Sequence, residues 1–212
     1  TGTILAIADK LETLVGIWGV GLAPTGDKDP YALRRHALGI CRLLLEKNLD
    51  LSLPDLIELA RKQFPQKDVQ EKAKAEDIYA FIIDRLRAYL RDQAVTGKPF
   101  TTEEIDAVLS QSPAQLNDLI DRLTALREFN ALAEAAQLAA ANKRISNILK
   151  KNATAIPANC SSSLLQLPAE IALHQALEKL TPTLTAAYEK RQFVDLLKAL
   201  VALSAPIDQF FA

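Results

Sequence analysis

The side chains with the clearest chemical pattern in this chain are basic ones on one stretch of predicted helix. No acidic residue stands between Glu134 and Glu170, although the whole chain carries a net charge of −1. At about 100° per residue, four cations and one amide share a helix face about 120° wide: Lys143, Arg144, Asn147, Lys150 and Lys151. Such a face is suited to the phosphates of a nucleic acid backbone. The alternative is plain solvation, because lysines near the end of a helix also complement its dipole.

Three further arginines are candidates for a structural or a binding role. Arg87 and Arg91 lie near Asp84, outside the apolar arc of their predicted helix, and we expect them to be solvated or to join a nucleic acid surface. Arg34 lies inside or at the edge of such an arc, where a covered guanidinium needs a carboxylate or backbone carbonyls. Asp9, on the preceding predicted helix, is the candidate carboxylate. We therefore predict a structural ion pair of Arg34 with Asp9; a ligand contact is the alternative.

Residue patterns typical of catalysis or metal binding are missing. His36 and His174 are the only histidines, and neither stands in a Cys, His or carboxylate cluster with ligand spacing. No nucleophile elbow, Walker loop or GxGxxG occurs. The loop from Pro24 to Pro30 holds one glycine and two carboxylates, which makes it a poor cradle for a phosphate. We therefore predict no catalytic residue, no metal site and no cofactor within this chain.

The composition is that of an ordinary globular protein. Of the 212 residues, 49% are hydrophobic and 24% are charged. No apolar run approaches the ~18 residues that a membrane span requires, and we expect Cys41 and Cys160 to be free thiols in a reducing compartment. These features favour a cytoplasmic protein without a membrane partner. No methionine occurs, even at position 1, which indicates a segment of a longer protein.

Apolar residues recur at three- and four-residue steps, which predicts an all-α helical bundle. The predicted helices span about residues 4–18, 30–47, 52–63, 76–91, 105–109, 112 onwards, 129–151, 168–180, 183–190 and 191–203. Four pairs are expected to open helices: Asp29 with Pro30, Ser52 with Pro54, Thr101 with Glu104, and Ser112 with Pro113. No stretch alternates with a period of two, so no strand is predicted. The polar segment 65–74 is the predicted boundary between two sub-domains.

Motifs along nearly the whole chain carry a resemblance to a known family. Residues 8–57 contain, in order, ADKL, TLVGI, PTG, KDP and ALRRHALG. They are followed by AFIIDRLRAYL at 80–90, DAVL at 106–109, ANKRISNILKK at 141–151 and APIDQFFA at 205–212. In these motifs the chain resembles the C-terminal region of the beta subunit of the bacterial heterotetrameric glycyl-tRNA synthetase. The resemblance is weakest at 94–100 and 157–167.

The resemblance implies a domain plan. Residues 1–66 resemble the C-terminal part of an HD-like helical domain. Residues 67–212 resemble a DALR-type anticodon-binding helical domain that lacks its last helix, and this domain contains the basic residues 143–151. No His-Asp dipeptide occurs in the chain, so the phosphohydrolase chemistry associated with HD domains is not expected here.

The resemblance also implies a function. Enzymes of this family use ATP to attach glycine to tRNA(Gly), as assemblies of two alpha and two beta chains. The alpha subunit forms the adenylate and the beta subunit recognises the tRNA. We therefore expect this chain to be a non-catalytic, tRNA-recognising segment of an aminoacyl-tRNA ligase, with tRNA(Gly) and the alpha subunit as partners. The alternative is a helical scaffold for subunit or protein contact.

Overall fold

A computed structural model describes residues 2–26, 28–92, 94–95, 98–151 and 160–212, with the backbone alone at 94 and 95. Helices make up most of this part of the chain, which confirms the all-α class. The α-helices are α1 Gly2–Gly19, α2 Leu33–Glu46, α3 Leu53–Lys62, α4 Lys67–Lys72, α5 Ala75–Arg91, α6 Thr102–Leu109, α7 Leu119–Asn130, α8 Ala135–Lys151, α9 Pro168–Glu189, α10 Phe193–Ala199 and α11 Ser204–Phe211. Short 3-10 turns occupy Ser162–Leu164 and Leu200–Leu203. None of the described helices is long and apolar enough to cross a membrane.

The chain divides into two compact units, Thr1–Leu123 and Thr124–Ala212. The division falls within α7. This division separates compact units, whereas the resemblance implies a domain boundary between residues 66 and 67. That domain boundary stays a prediction. The polar segment 65–74 contains α4, which packs on α1 within the first unit.

The core of the first unit is formed by the apolar faces of its helices. α2 packs on α1 and α5, α3 packs on the same two helices, and α6 packs on α5. The largest fully buried side chains are Leu14, Leu33, Ile40, Leu44, Leu53, Ile57, Ile78, Ile82, Leu86, Leu90, Ile105 and Leu116. Full burial of one such side chain contributes about 1.5 to 3 kcal/mol, so this apolar cluster is the main source of stability in the unit.

Both cysteines are free, as predicted, and they differ in surroundings. Cys41 belongs to the core of the first unit, where its thiol donates to the carbonyl of Ile82 at 3.6 Å. Burial raises the pKa of this thiol to about 12, so it stays protonated at neutral pH. Cys160 lies exposed in the second unit.

Two of the four predicted helix starts are confirmed. The Ser52 hydroxyl accepts from the amide of Asp55 at 3.3 Å. Thr101 and Glu104 form a complete capping box, in which each side chain accepts from the other residue's amide, at 3.2 and 2.9 Å. These caps satisfy amides that have no partner within their helices.

The other two predicted starts were wrong. α2 begins at Leu33, after Ala32 in the left-handed region, and the carboxylate of Asp29 accepts from the amides of Leu33 at 2.8 Å and Arg34 at 3.0 Å. Asp29 therefore caps the helix from four residues away. After Ser112, at a φ of 48°, the chain turns toward α3 and α5, and α7 begins only at Leu119.

Tertiary hydrogen bonds explain why no helix starts at Pro113. The carbonyl of Pro113 accepts from the hydroxyl of Tyr79 at 3.0 Å, and the carbonyl of Ala114 accepts from the amide of Leu53 at 2.8 Å. A helix starting here would take these carbonyls as its own acceptors. The segment is instead fixed against the ends of α3 and α5.

The second unit also differs from the predicted pattern. The helix expected over 129–151 is interrupted at 131–134, between α7 and α8. The two helices expected over 168–190 are one, because α9 continues through Pro182. A proline inside a helix removes one backbone hydrogen bond. Next to Pro182, the hydroxyl of Thr181 donates to the carbonyl of Leu177, one turn earlier in the helix, at 2.7 Å.

A pair of two-residue strands, β1 Ala94–Val95 and β2 Lys98–Pro99, was not predicted. They pair antiparallel, with Ala94 opposite Pro99. Two residues are too few for an alternating pattern to be visible in a sequence, so this pairing could not be found from periodicity.

The structure does not pair Arg34 with Asp9. The guanidinium of Arg34 donates to the backbone carbonyl of Gly26 in the preceding loop. The Asp9 side chain is exposed on α1, and among the described residues it forms no ion pair. A carbonyl thus serves where a carboxylate was predicted, since the loop before α2 folds back over Arg34.

Gly19 ends α1 at its closest approach to α4. A Cβ atom here would lie 2.9 Å from the carbonyl oxygen of Val69 and closer still to the Val69 side chain. We expect Gly19→Ala to lower the free energy of unfolding by about 1 to 3 kcal/mol, because backbone has to move to admit the methyl group. Urea unfolding measures the change. Gly2→Ala is the control, since nothing lies within 4 Å of its Cβ position; equal stability of both variants would contradict this packing.

Alanine substitutions of Arg34 and of Asp9, made singly and together, test which partner Arg34 uses. We expect Arg34→Ala to cost about 1 kcal/mol through loss of its hydrogen bond to Gly26, and Asp9→Ala to change stability by under about 0.5 kcal/mol. The two effects should add in the double variant, because the side chains do not contact each other. Urea unfolding of the three variants measures the coupling, and a coupling above about 1 kcal/mol would reinstate the ion pair.

Candidate nucleic-acid interface

Helix α8 carries the five residues that the sequence singled out, and the structure brings them to one surface. Lys143, Arg144, Asn147, Lys150 and Lys151 are all exposed. We call this surface the basic face of α8. Within the helix, Leu138, Ala141 and Ile145 are partly buried on another side, whereas Ile148 and Leu149 are each 47% exposed. The helix is therefore amphipathic, with its first three turns packed more closely than its last.

The charge of the basic face is uncompensated. Helix α8 contains no acidic residue. Among the residues that the structure describes, none forms an ion pair with Lys143, Arg144, Lys150 or Lys151. Exposed cations without a protein partner give up no existing ion pair on meeting a phosphate, which favours binding of an anionic backbone.

An open groove of about 550 Å³ runs along the basic face. Its lining consists of Ala140, Lys143, Arg144, Asn147, Ile148 and Lys151. The Asn147 amide, which can donate and accept, lies among the cations that line the groove.

A second cavity of about 330 Å³ lies between α8 and α11, and Arg144 lines both cavities. The Arg144 Cζ atom lies over the ring of Phe211, 4.0 Å from its centroid. The side-chain amide of Gln137 on α8 donates to the carboxylate of Asp208 on α11. Sequence reasoning missed α11 as part of this surface, because no local pattern relates two residues 71 positions apart.

Arg87 and Arg91 belong to the first unit, on α5. The Nε atom of Arg87 donates to the carboxylate of Asp106 on α6 at 2.7 Å, and Asp84 lies 3.7 Å from the same guanidinium. A phosphate would have to compete with these carboxylates. Arg91 is exposed, and the described part of the chain offers it no ion pair. Arg34 and Asp9 also lie in the first unit.

Metal and cofactor binding have no visible basis in the part of the chain that the structure describes. No three His, Cys, Asp or Glu side chains converge there as ligands. His174 lies 3.4 Å from Glu178, one helical turn away. The arrangement on α8 offers four exposed cations and one amide, groups suited to contacts with an anionic polymer.

Two protein-family models match parts of this chain. A model described as "Glycyl-tRNA synthetase beta subunit" matches residues 1–110. A model described as "DALR anticodon binding domain" matches residues 138–212. The basic face of α8 lies within the second match, and Arg87 and Arg91 lie within the first.

Curated relatives give the same result along the whole chain. The beta subunit of glycine–tRNA ligase from Dechloromonas aromatica is 50% identical over 210 residues, which are 99% of this chain and 29% of the relative. That from Ralstonia nicotianae is 49% identical over 211 residues, 100% of this chain and 29% of the relative. That from Nitrosomonas eutropha is 44% identical, over 100% of this chain and 30% of the relative. The chain thus spans a little under a third of the length of these relatives.

Proposed function

Because this chain belongs to the glycyl-tRNA synthetase beta subunit family, we propose that it recognises tRNA on behalf of a glycine–tRNA ligase. The partners in this proposal are tRNA(Gly) and the alpha subunit, in an assembly of two alpha and two beta chains in the cytoplasm. The complete enzyme uses ATP to join glycine to the tRNA, and the alpha subunit forms the adenylate. The segment itself is non-catalytic.

The observation that carries the proposal is the unpaired charge of the basic face of α8. It lies in the region similar to an anticodon-binding domain, and its four cations are exposed and form no ion pair among the described residues. A net charge of −1 gives the chain no general attraction to RNA, so binding has to depend on such a local surface.

The proposed mechanism is positioning. Lys143, Lys150 and Lys151 contact backbone phosphates, which sets the register of the tRNA on the protein without reading its sequence. Asn147 reads the edge of an unstacked base, since RNA is recognised mainly through single-stranded loops whose bases are accessible. Arg91 adds a phosphate contact, and Arg87 contributes only if it exchanges Asp106 for the RNA.

A second candidate function is a scaffold for subunit or protein contact, and one observation favours it. An apolar cavity of about 520 Å³ lies between α1, α3 and the loop before α3, lined among others by Ile7, Leu11, Leu56 and Leu59. Ile4, at its edge, is 76% exposed. Exposed apolar surface of this kind is typical of protein contacts. Salt dependence separates the two functions, because phosphate contacts weaken steeply with salt and apolar contacts do not.

Exchange of Lys150 and Lys151 for Ala tests the phosphate contacts. We expect weaker binding of cognate and non-cognate tRNA alike, and a logarithmic salt slope lower by about 1.4 units, since each phosphate of a single strand contributes about 0.7. Fluorescence anisotropy with labelled tRNA at several salt concentrations measures both. The control is Lys67→Ala with Lys72→Ala on α4, which removes the same charge from another exposed helix. Equal behaviour of the two double variants would contradict a specific role of this face.

Exchange of Asn147 tests base reading. We expect Asn147→Ala to weaken binding of tRNA(Gly) more than that of a non-cognate tRNA, by at least about fivefold, because a lost base contact costs about 1 to 3 kcal/mol only where the correct base is present. Its matched control is Asn142→Ala, which removes an exposed amide from the same helix outside the basic face. A loss equal for both tRNAs would assign Asn147 to the backbone contacts instead.

A further inference from the structure

The guanidinium of Arg144 lies over the ring of Phe211 at the edge of the groove. The Arg144 Cζ atom lies 4.0 Å from the ring centroid, well inside the ~6 Å range of a cation–π contact. A long arginine side chain on an exposed helix face normally samples many rotamers. The contact with Phe211 restricts these rotamers, while the Arg144 residue as a whole stays exposed.

Phe211 is itself held in place. Its ring meets the edge of the Phe210 ring, with centroids 5.0 Å apart and planes at 78°. The hydrogen bond from Gln137 to Asp208 joins α11 to α8 one turn before Phe211. The helix that carries the Phe211 ring is therefore joined to α8 by a side-chain hydrogen bond.

The surroundings of Arg144 combine a stacking surface with anion-binding groups. Arg144 lines the 330 Å³ cavity with Phe211 and Asp208, and it lines the 550 Å³ groove with Lys143 and Lys151. Unstacked RNA bases stack on aromatic rings and on the planes of arginine guanidinium groups. A base that stacks beside Arg144 would have its flanking phosphates within the groove of cations.

We infer that Arg144 is a stacking platform for an unpaired base of the bound RNA, and that Phe211 is the positioning residue that orients it. The inference rests on the proposed function, which supplies the RNA, and it assigns α11 a role in that binding. The ligand is an unpaired nucleobase held by its face, between phosphates held by Lys143 and Lys151. The competing account is that Arg144 serves as a point charge for a phosphate and that Phe211 is incidental.

Two substitutions, Phe211→Leu and Arg144→Lys, separate these accounts, and a third, Phe211→Tyr, is the control. Phe211→Leu keeps an apolar side chain but removes the ring face, and Phe211→Tyr retains that face. Arg144→Lys keeps the charge but removes the planar group. For a stacking platform we expect Phe211→Leu and Arg144→Lys each to weaken RNA binding by about fivefold, the size of one cation–π or stacking contact. Phe211→Tyr should bind like the parent chain.

The probe is a labelled anticodon stem-loop RNA of tRNA(Gly), compared by fluorescence anisotropy with the same RNA carrying abasic sites in the loop. The abasic RNA keeps its phosphates and loses its bases. We expect the parent chain to bind it more weakly than the intact RNA, and Phe211→Leu to show a smaller difference between the two RNAs, because only the base contacts of other residues such as Asn147 remain. Circular dichroism and thermal unfolding check that each variant is folded; Arg144→Lys, at an exposed site, carries the test should Phe211→Leu unfold.

The outcomes distinguish this inference from the function on which it rests. Unchanged binding by both Phe211→Leu and Arg144→Lys, or an equal loss on intact and abasic RNA, overturns the stacking platform. If Lys150→Ala with Lys151→Ala still weakens binding in that case, the proposed function stands without it. Failure of the parent chain to bind either RNA overturns both.

Discussion

The helical period is the constraint on which the structure depends, because it places residues three and four apart on one face. On α8 this constraint separates partly buried Leu138, Ala141 and Ile145 from an exposed row of cations. Packing of the apolar stripe against its own unit leaves the charged row in water. One local pattern therefore provides both the apolar side that packs and the exposed basic face of the helix.

The two compact units use apolar surface differently. In the first, many large apolar side chains of the helices and of the segment before α7 are fully buried, among them Leu14, Ile40 and Leu116. In the second, the buried apolar residues are fewer, among them Ala135, Phe193 and Leu203, whereas Leu167, Ile171 and Leu177 on or beside α9 are exposed. Since apolar burial is the dominant favourable contribution to folding, it contributes more to the stability of the first unit than to that of the second. The second unit, with these exposed apolar side chains, is also the unit that carries the basic face.

The arginines of the chain differ in the groups that their charge meets. On α2, the Arg42 Nε atom lies 2.7 Å from Glu46, which also accepts from the hydroxyl of Tyr89 at 3.0 Å. These hydrogen bonds, from Arg42 first and Tyr89 second, lower the pKa of the Glu46 carboxyl, which keeps it charged in the neutral range. Arg87 is similarly engaged with Asp106. Arg144 instead meets an aromatic ring, which leaves its charge available to an anion.

The sequence by itself determined what depends on neighbours along the chain: the all-α class, the caps at Ser52 and Thr101, and the shared face of residues 143–151. Each of these rests on spacings of three or four residues, which the helix converts directly into contacts. The family was also recognisable, from motifs spread over nearly the whole chain. Tertiary structure alone decided the carbonyl partner of Arg34, the late start of α7 and the contact of Arg144 with Phe211. These depend on segments brought together by packing, and no local spacing encodes which distant groups will meet.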